Sequence, residues 1–83
     1  MTDLGEIRAV LAGVAEQLGS AYQQAGVARA RIADAKAVLD ELGEQHSEPL
    51  VPAELLQAEQ ELERGLGLIN SGAVAVDAIQ ARL

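Results

Sequence analysis

The feature that most narrows what this chain can fold into is a spacing. Apolar or small residues fall at Leu4, Ile7, Leu11, Val14, Leu18, Ala21, Ala25, Ala28, Ile32, Ala35, Leu39 and Leu42, in steps that alternate between three and four. A helix gathers residues three and four apart onto one face, so the pattern predicts a single helix packed along its whole length. Asp3, with Glu6 three positions on, supplies a cap and its reciprocal partner at the start. Gly43 suits the stop. The segment Gly-Glu-Gln-His-Ser-Glu-Pro-Leu from Gly43 to Leu50 is polar, and Pro52 suits the first turn of a second helix. Beyond it Val51, Leu55, Ala58, Leu62, Gly65, Ile69, Gly72, Val76, Ile79 and Leu83 repeat the same steps. The expected architecture is all-α, one helical hairpin over residues 1–83: helix 3–43, loop 44–51, helix 52–83. The helices should measure about 60 Å and about 45 Å.

An antiparallel fold-back pairs seam positions whose numbers add to about 93, the geometry of an antiparallel coiled coil. Leu39 then meets Leu55, Ile32 meets Leu62, and Lys36 and Arg31 come near Glu59 and Glu61. Three layers set small against small: Ala35 with Ala58, Ala28 with Gly65, Ala21 with Gly72. Such layers suggest a close approach of the two backbones, offsetting the roughly 1 kcal/mol that each helical glycine costs. Leu at position 65 or 72 would then overpack by about 1–3 kcal/mol. Asn70-Ser71-Gly72 offers a rival reading as a turn that splits the second helix. Against it, Ile69, Val76 and Leu83 keep their seven-residue spacing across the segment.

Two helices make a thin core. A chain of 83 residues buries only about 60% of its unfolded surface. With no cysteine and no metal motif to add stability, oligomerisation is the usual remedy. Apolar residues outside the seam, among them Val10, Val38, Tyr22, Leu50, Leu56, Leu66, Leu68 and Val74, flank it, and contiguous apolar surface of this kind marks association sites. With Leu4 and Ile7 overhanging the end of the second helix, the candidate partner interface is Leu4, Ile7, Val10, Tyr22, Leu56, Leu66 and Leu68. A homodimer forming a four-helix bundle, or a heterodimer with a similar hairpin, is the expected assembly. Gly5, Ala12, Gly19, Gly26 and Ala33 also recur every seven residues, either to admit a neighbouring helix or as a consequence of the Ala/Gly-rich composition.

Six Lys and Arg against thirteen Asp and Glu leave a net charge of −7, which repels nucleic acid. Tyr22 is the single aromatic, and single-strand binders need several stacking rings. His46 is the only histidine, cysteine is absent, and no serine stands in a nucleophile motif, so no catalytic residue is assigned. Gly65-Leu-Gly67-Leu-Ile-Asn70 follows no strand and is no dinucleotide turn, and His46-Ser47-Glu48 reads as a solvated turn rather than a metal site. Asp40, Glu41, Glu44, Glu48 and Glu54 form an acidic tip without calcium-loop spacing, read as a solubilising surface ahead of a docking patch for a basic partner. The expectation is a non-enzymatic interaction or scaffold protein with no cofactor, metal or small-molecule substrate. Thr2 and Asp3 begin no secretory signal, and no stretch reaches the roughly 20 apolar residues of a membrane span. A cytoplasmic location is expected, with export that needs no cleavable signal left open.

Arg outnumbers Lys five to one, and Ala, Gly, Leu and Val dominate, which resembles the usage of GC-rich actinobacterial genes. The capped heptad helix, the His-Ser-Glu-Pro loop, and Ala53-Glu-Leu-Leu-Gln-Ala-Glu-Gln-Glu-Leu-Glu continuing to Asp77-Ala-Ile-Gln-Ala-Arg-Leu83 resemble small helical segments found alone or ahead of deaminase-type toxin domains. These are broadly similar to the WXG-type hairpins of type VII secretion. The resemblance implies a dimeric helical scaffold, and as an alternative function an exported hairpin or adaptor of a type VII-like secretion or toxin-delivery system. The chain departs from the WXG pattern in lacking a Trp-x-Gly turn and in having Gly26, not an acid, four residues after Tyr22. No functional residue is carried over.

The register yields a direct test. Cysteines at surface positions adjoining Ala28 and Gly65 should cross-link within one chain, while probes at Leu11 and Leu55 stay far apart. Proximity of the latter pair would contradict the fold-back.

Overall fold

The structure is a computed structural model and describes residues 3–83. The chain forms two helices, α1 (Leu4–His46) and α2 (Ala53–Arg82), and no strand among the described residues. Asp3 starts α1 from an extended conformation, its carboxylate accepting the Glu6 N–H at 2.8 Å and so satisfying one of the orphan donors of the first turn. Pro52 precedes α2 in the same extended conformation, with a carbonyl that accepts the Leu55 N–H at 3.1 Å. Asn70-Ser71-Gly72 lies inside an unbroken α2. The molecule is 66 Å long and 17 by 14 Å across. Its radius of gyration is 19.1 Å, against about 12 Å for a compact chain of this length.

The helices run antiparallel in the expected register. Lys36 Nζ lies 2.9 Å from Glu59 Oε1, and the Arg8 guanidinium donates to the Leu83 carbonyl at the far end. The second expected pair is different: Arg29, not Arg31, reaches α2, at 3.8 Å from Glu63. Arg31 turns away with Gln24 and Val27 along the flank of α1.

The seam itself slides. Ile7, Leu11, Val14, Leu18, Ala21, Ala25, Ala28, Ile32 and Leu39 are half-buried as the spacing requires, but Ala35 and Leu42 are exposed; Lys36, next to Ala35, is half-buried against Glu59 of α2, and Gly43, next to Leu42, is buried beneath the returning loop. Toward the end of α2 Gln80 is likewise half-buried in place of the exposed Ile79, while Leu83 is half-buried as the spacing requires. An α-helix turns once per 3.6 residues, so a strict seven-residue stripe drifts about 20° per heptad unless the helices supercoil. Over the length of α1 the drift moves the contact line from one heptad position to the next.

At the turn, α1 runs three residues past Gly43. It ends in a Schellman-type closure, with Ser47 left-handed at φ 59° and the Glu48 N–H donating to the Gly43 carbonyl at 3.2 Å. The returning chain then lies on Gly43, where a β-carbon would stand 2.7 Å from the Glu48 carbonyl oxygen and 3.4 Å from the Leu50 nitrogen. Gly43 is thus required for the close passage of the loop, not for stopping the helix.

Gly65 and Gly72 behave in the opposite way. Both are half-buried, yet a β-carbon at either meets no atom within 4 Å, so the small layers do not mark a tight backbone approach. The expected overpacking has no basis at the β-carbon: these layers leave open space. Gly65→Ala should therefore raise unfolding stability by about 0.5–1 kcal/mol through helix propensity. Gly43→Ala should lower it by about 1–3 kcal/mol, because backbone must shift. Denaturant titration followed by circular dichroism checks both signs, and loss of stability in Gly65→Ala would restore the close-approach reading.

Candidate interaction surface

Helical spacing divides the surface of the hairpin into two broad sides. On one, Ala15, Leu18, Gly19 and Tyr22 of α1 meet Ile69, Asn70, Ala73 and Asp77 of α2 in a groove, which continues past Gly26, Arg29, Ala30 and Ala33 to Glu59. The recurring small residues Gly19, Gly26 and Ala33 line it. On the other side, steps of three and four place Gly65, Leu68, Gly72 and Ile79 together along α2, with Val10, Ala21, Ala28 and Ala35 along α1.

The seven residues expected at an interface do not share one environment. Leu66 is the most buried apolar residue among those described, 8% exposed. Its place on the outer flank is corrected: it stands next to Gly65 in sequence, but on the inward side of α2, where it fills space between the helices. Ile7 is half-buried in the seam, and Leu4 is exposed beyond the Arg8 contact that closes the open end. Val10, Tyr22, Leu56 and Leu68 are exposed, Val10 and Leu68 at more than 60%. Val27, Val38, Leu42, Val74 and Ile79 are exposed as well. Of these, Leu42 and Ile79 belong to the expected seam, and only the drift of the seam reveals them as surface.

The polar groups form no concentrated site. The tip is a shallow cleft between Asp40, Gly43, Glu44, Ser47, Glu48, Pro49 and Leu50, open to solvent. His46 is the last residue of α1 rather than part of the loop, and is exposed. Among the described residues no group of three or more His, Cys, Asp or Glu could hold a metal ion, and no helix is long and apolar enough to cross a membrane. No protein-family model, curated protein or solved structure matches the chain.

The difference between these two nearby leucines is measurable. Leu66→Ala should cost about 2–3 kcal/mol of hairpin stability as a cavity opens between the helices. Leu68→Ala, at an exposed position, should stay within about 0.5 kcal/mol when dilute protein is unfolded. Equal losses at both positions would show that α2 is rotated from the orientation described.

Proposed function

We propose that the chain is a non-enzymatic helical module that works by association, pairing its exposed apolar surface with a second copy or a similar hairpin to form a four-helix bundle. The observation that carries this reading is an excess of surface. The hairpin exposes 6200 Å², whereas a compact monomer of 8.6 kDa exposes about 4,700 Å². The difference is about twice the ~800 Å² that each partner buries in a stable protein complex. Much of it is apolar, at Val10, Val27, Leu68 and Val74. Covering such surface is favourable by about 25 cal/mol per Å², and this is the largest contribution that can offset the entropy of association.

A two-helix layer has no second layer to pack against, and the commonest way to supply one is a symmetric dimer. In this reading scaffolding is the activity itself: the partner face is an extended helical surface, and recognition comes from the placement of knobs and gaps along it.

Light scattering over a dilution series tests the proposal. The expected result is twice the chain mass at micromolar concentration, with Leu68→Glu shifting the mass to that of one chain and lowering the melting temperature. A monomer at every concentration, with a melting temperature indifferent to Leu68→Glu, would contradict it.

A further inference from the structure

The hairpin carries a band without charge. Residues 17–28 of α1 and 65–76 of α2 contain no Asp, Glu, Lys, Arg or His. The register set by Lys36 with Glu59 and by Arg8 with Leu83 places these two twelve-residue windows side by side. Together they form a belt about 18 Å tall at 1.5 Å per residue, encircling the middle of the molecule. Interface cores are depleted in charge for a physical reason, since a charge removed from water without a partner is costly.

The borders of the belt differ in sign. Toward the open end it is bounded by Glu16 and Asp77, and toward the tip by Arg29 and Arg64 with Arg31 close behind. Beyond those arginines the tip holds Asp40, Glu41, Glu44, Glu48 and Glu54, and no Lys or Arg occurs from residue 37 to residue 63.

We infer that the occupant of this belt is a second copy of the chain turned end to end, docked on the side that carries Leu68. The inference rests on the association reading above and adds the partner's identity, direction and face. With the belts superposed and one copy reversed, Glu16 and Asp77 of each copy lie at the level of Arg29 and Arg64 of the other. Asp77 and Arg29, however, line the groove on the opposite side, and Arg29 already pairs with Glu63 of its own chain, so the direction is set by the acidic tips. A parallel copy brings two acidic tips together, an arrangement opposed at separations within the ~8–10 Å screening length. Belt-centred reversal also overlaps the two hairpins over nearly their full length. A face 66 Å by 17 Å projects to about 1,100 Å², more than the ~800 Å² per partner of a stable interface.

The choice of face follows from fit. Stacking each helix on its own reversed copy puts Leu68, 61% exposed, beside Gly72 of the second copy, where no atom fills the space of a β-carbon, and the two-fold repeats the contact. Val10 falls at the level of Ala35 of the second copy in the same way. Large meets small at each place, as knobs meet holes in a packed bundle. The opposite side, with Leu66 filling the space between the helices and Asn70, Asp77 and Glu59 lining the groove, offers no such match.

Spin labels on single-cysteine chains test direction on otherwise unchanged protein. A label at Ser71→Cys, beside the two-fold, should report an inter-copy distance under about 25 Å, and one at Gln45→Cys, near the tip, about 65 Å. Gly72→Leu, which fills the gap without adding charge, should raise the dimer dissociation constant at least tenfold, as should Leu68→Glu. A dimer with a short Gln45 distance would overturn this inference while leaving association intact. The expected distances with affinity unchanged by either substitution would overturn the choice of face. A monomer throughout would remove both this inference and the reading beneath it.

Discussion

The whole molecule hangs on a seam of apolar side chains that each helix can cover from one direction only. In a bundle of three or more helices a seam residue is enclosed by two neighbours, but here its outer flanks face water. The seam residues from Ile7 to Ile32 are therefore half-buried, and Leu66 alone among the described apolar residues is nearly closed off. Ordering a residue costs about 1–2 kcal/mol of backbone entropy. Incomplete burial offsets that cost poorly, and the proposed association would supply burial that the lone hairpin lacks. The same geometry that leaves the hairpin underpacked leaves exposed the apolar surface on which the proposed association rests.

Direction and register are held by a few polar devices at the ends of that seam. The loop passes so close to Gly43 that no side chain fits, and Ser47 takes the left-handed turn that reverses the chain. Lys36 occupies a seam position and meets Glu59, with both side chains partly shielded from water. An ion pair at such a position contributes less to stability than a well-packed apolar pair, and its value lies in penalising slipped registers that leave the charges unpaired. Arg8 secures the open end against the Leu83 carbonyl. Glycines away from the turn have no such role, and at Gly65 and Gly72 they open gaps in the surface.

Periodicity makes the helices, their antiparallel pairing and the Lys36–Glu59 contact legible in the sequence, because alternating steps of three and four survive in any helix that packs lengthwise. The drift of the seam is not legible in the same way. Whether a helix supercoils to keep Ala35 and Leu42 inward, or stays straighter and presents Lys36 and Gly43, depends on packing between two elements and not on the local pattern of either. The side that Leu66 takes is hidden for the same reason, since it is decided by a rotation of α2 through only part of a turn. Gly43 stands out in the sequence, but the reason for it, the carbonyl of Glu48 lying against it, belongs to the loop path. The candidate surface is legible as an excess of apolar residues and not as a shape.

The proposed association has one thermodynamic consequence: folding of the hairpin and its association would be coupled. A species whose native state is stabilised by binding its own kind melts at a temperature that rises with concentration. Thermal unfolding by circular dichroism, from low micromolar to several hundred micromolar chain, measures this directly. Coupled folding and association require a melting temperature that climbs steadily across the series. A melting temperature that stays constant over the range would show that the two helices are sufficient by themselves, and would contradict the coupling.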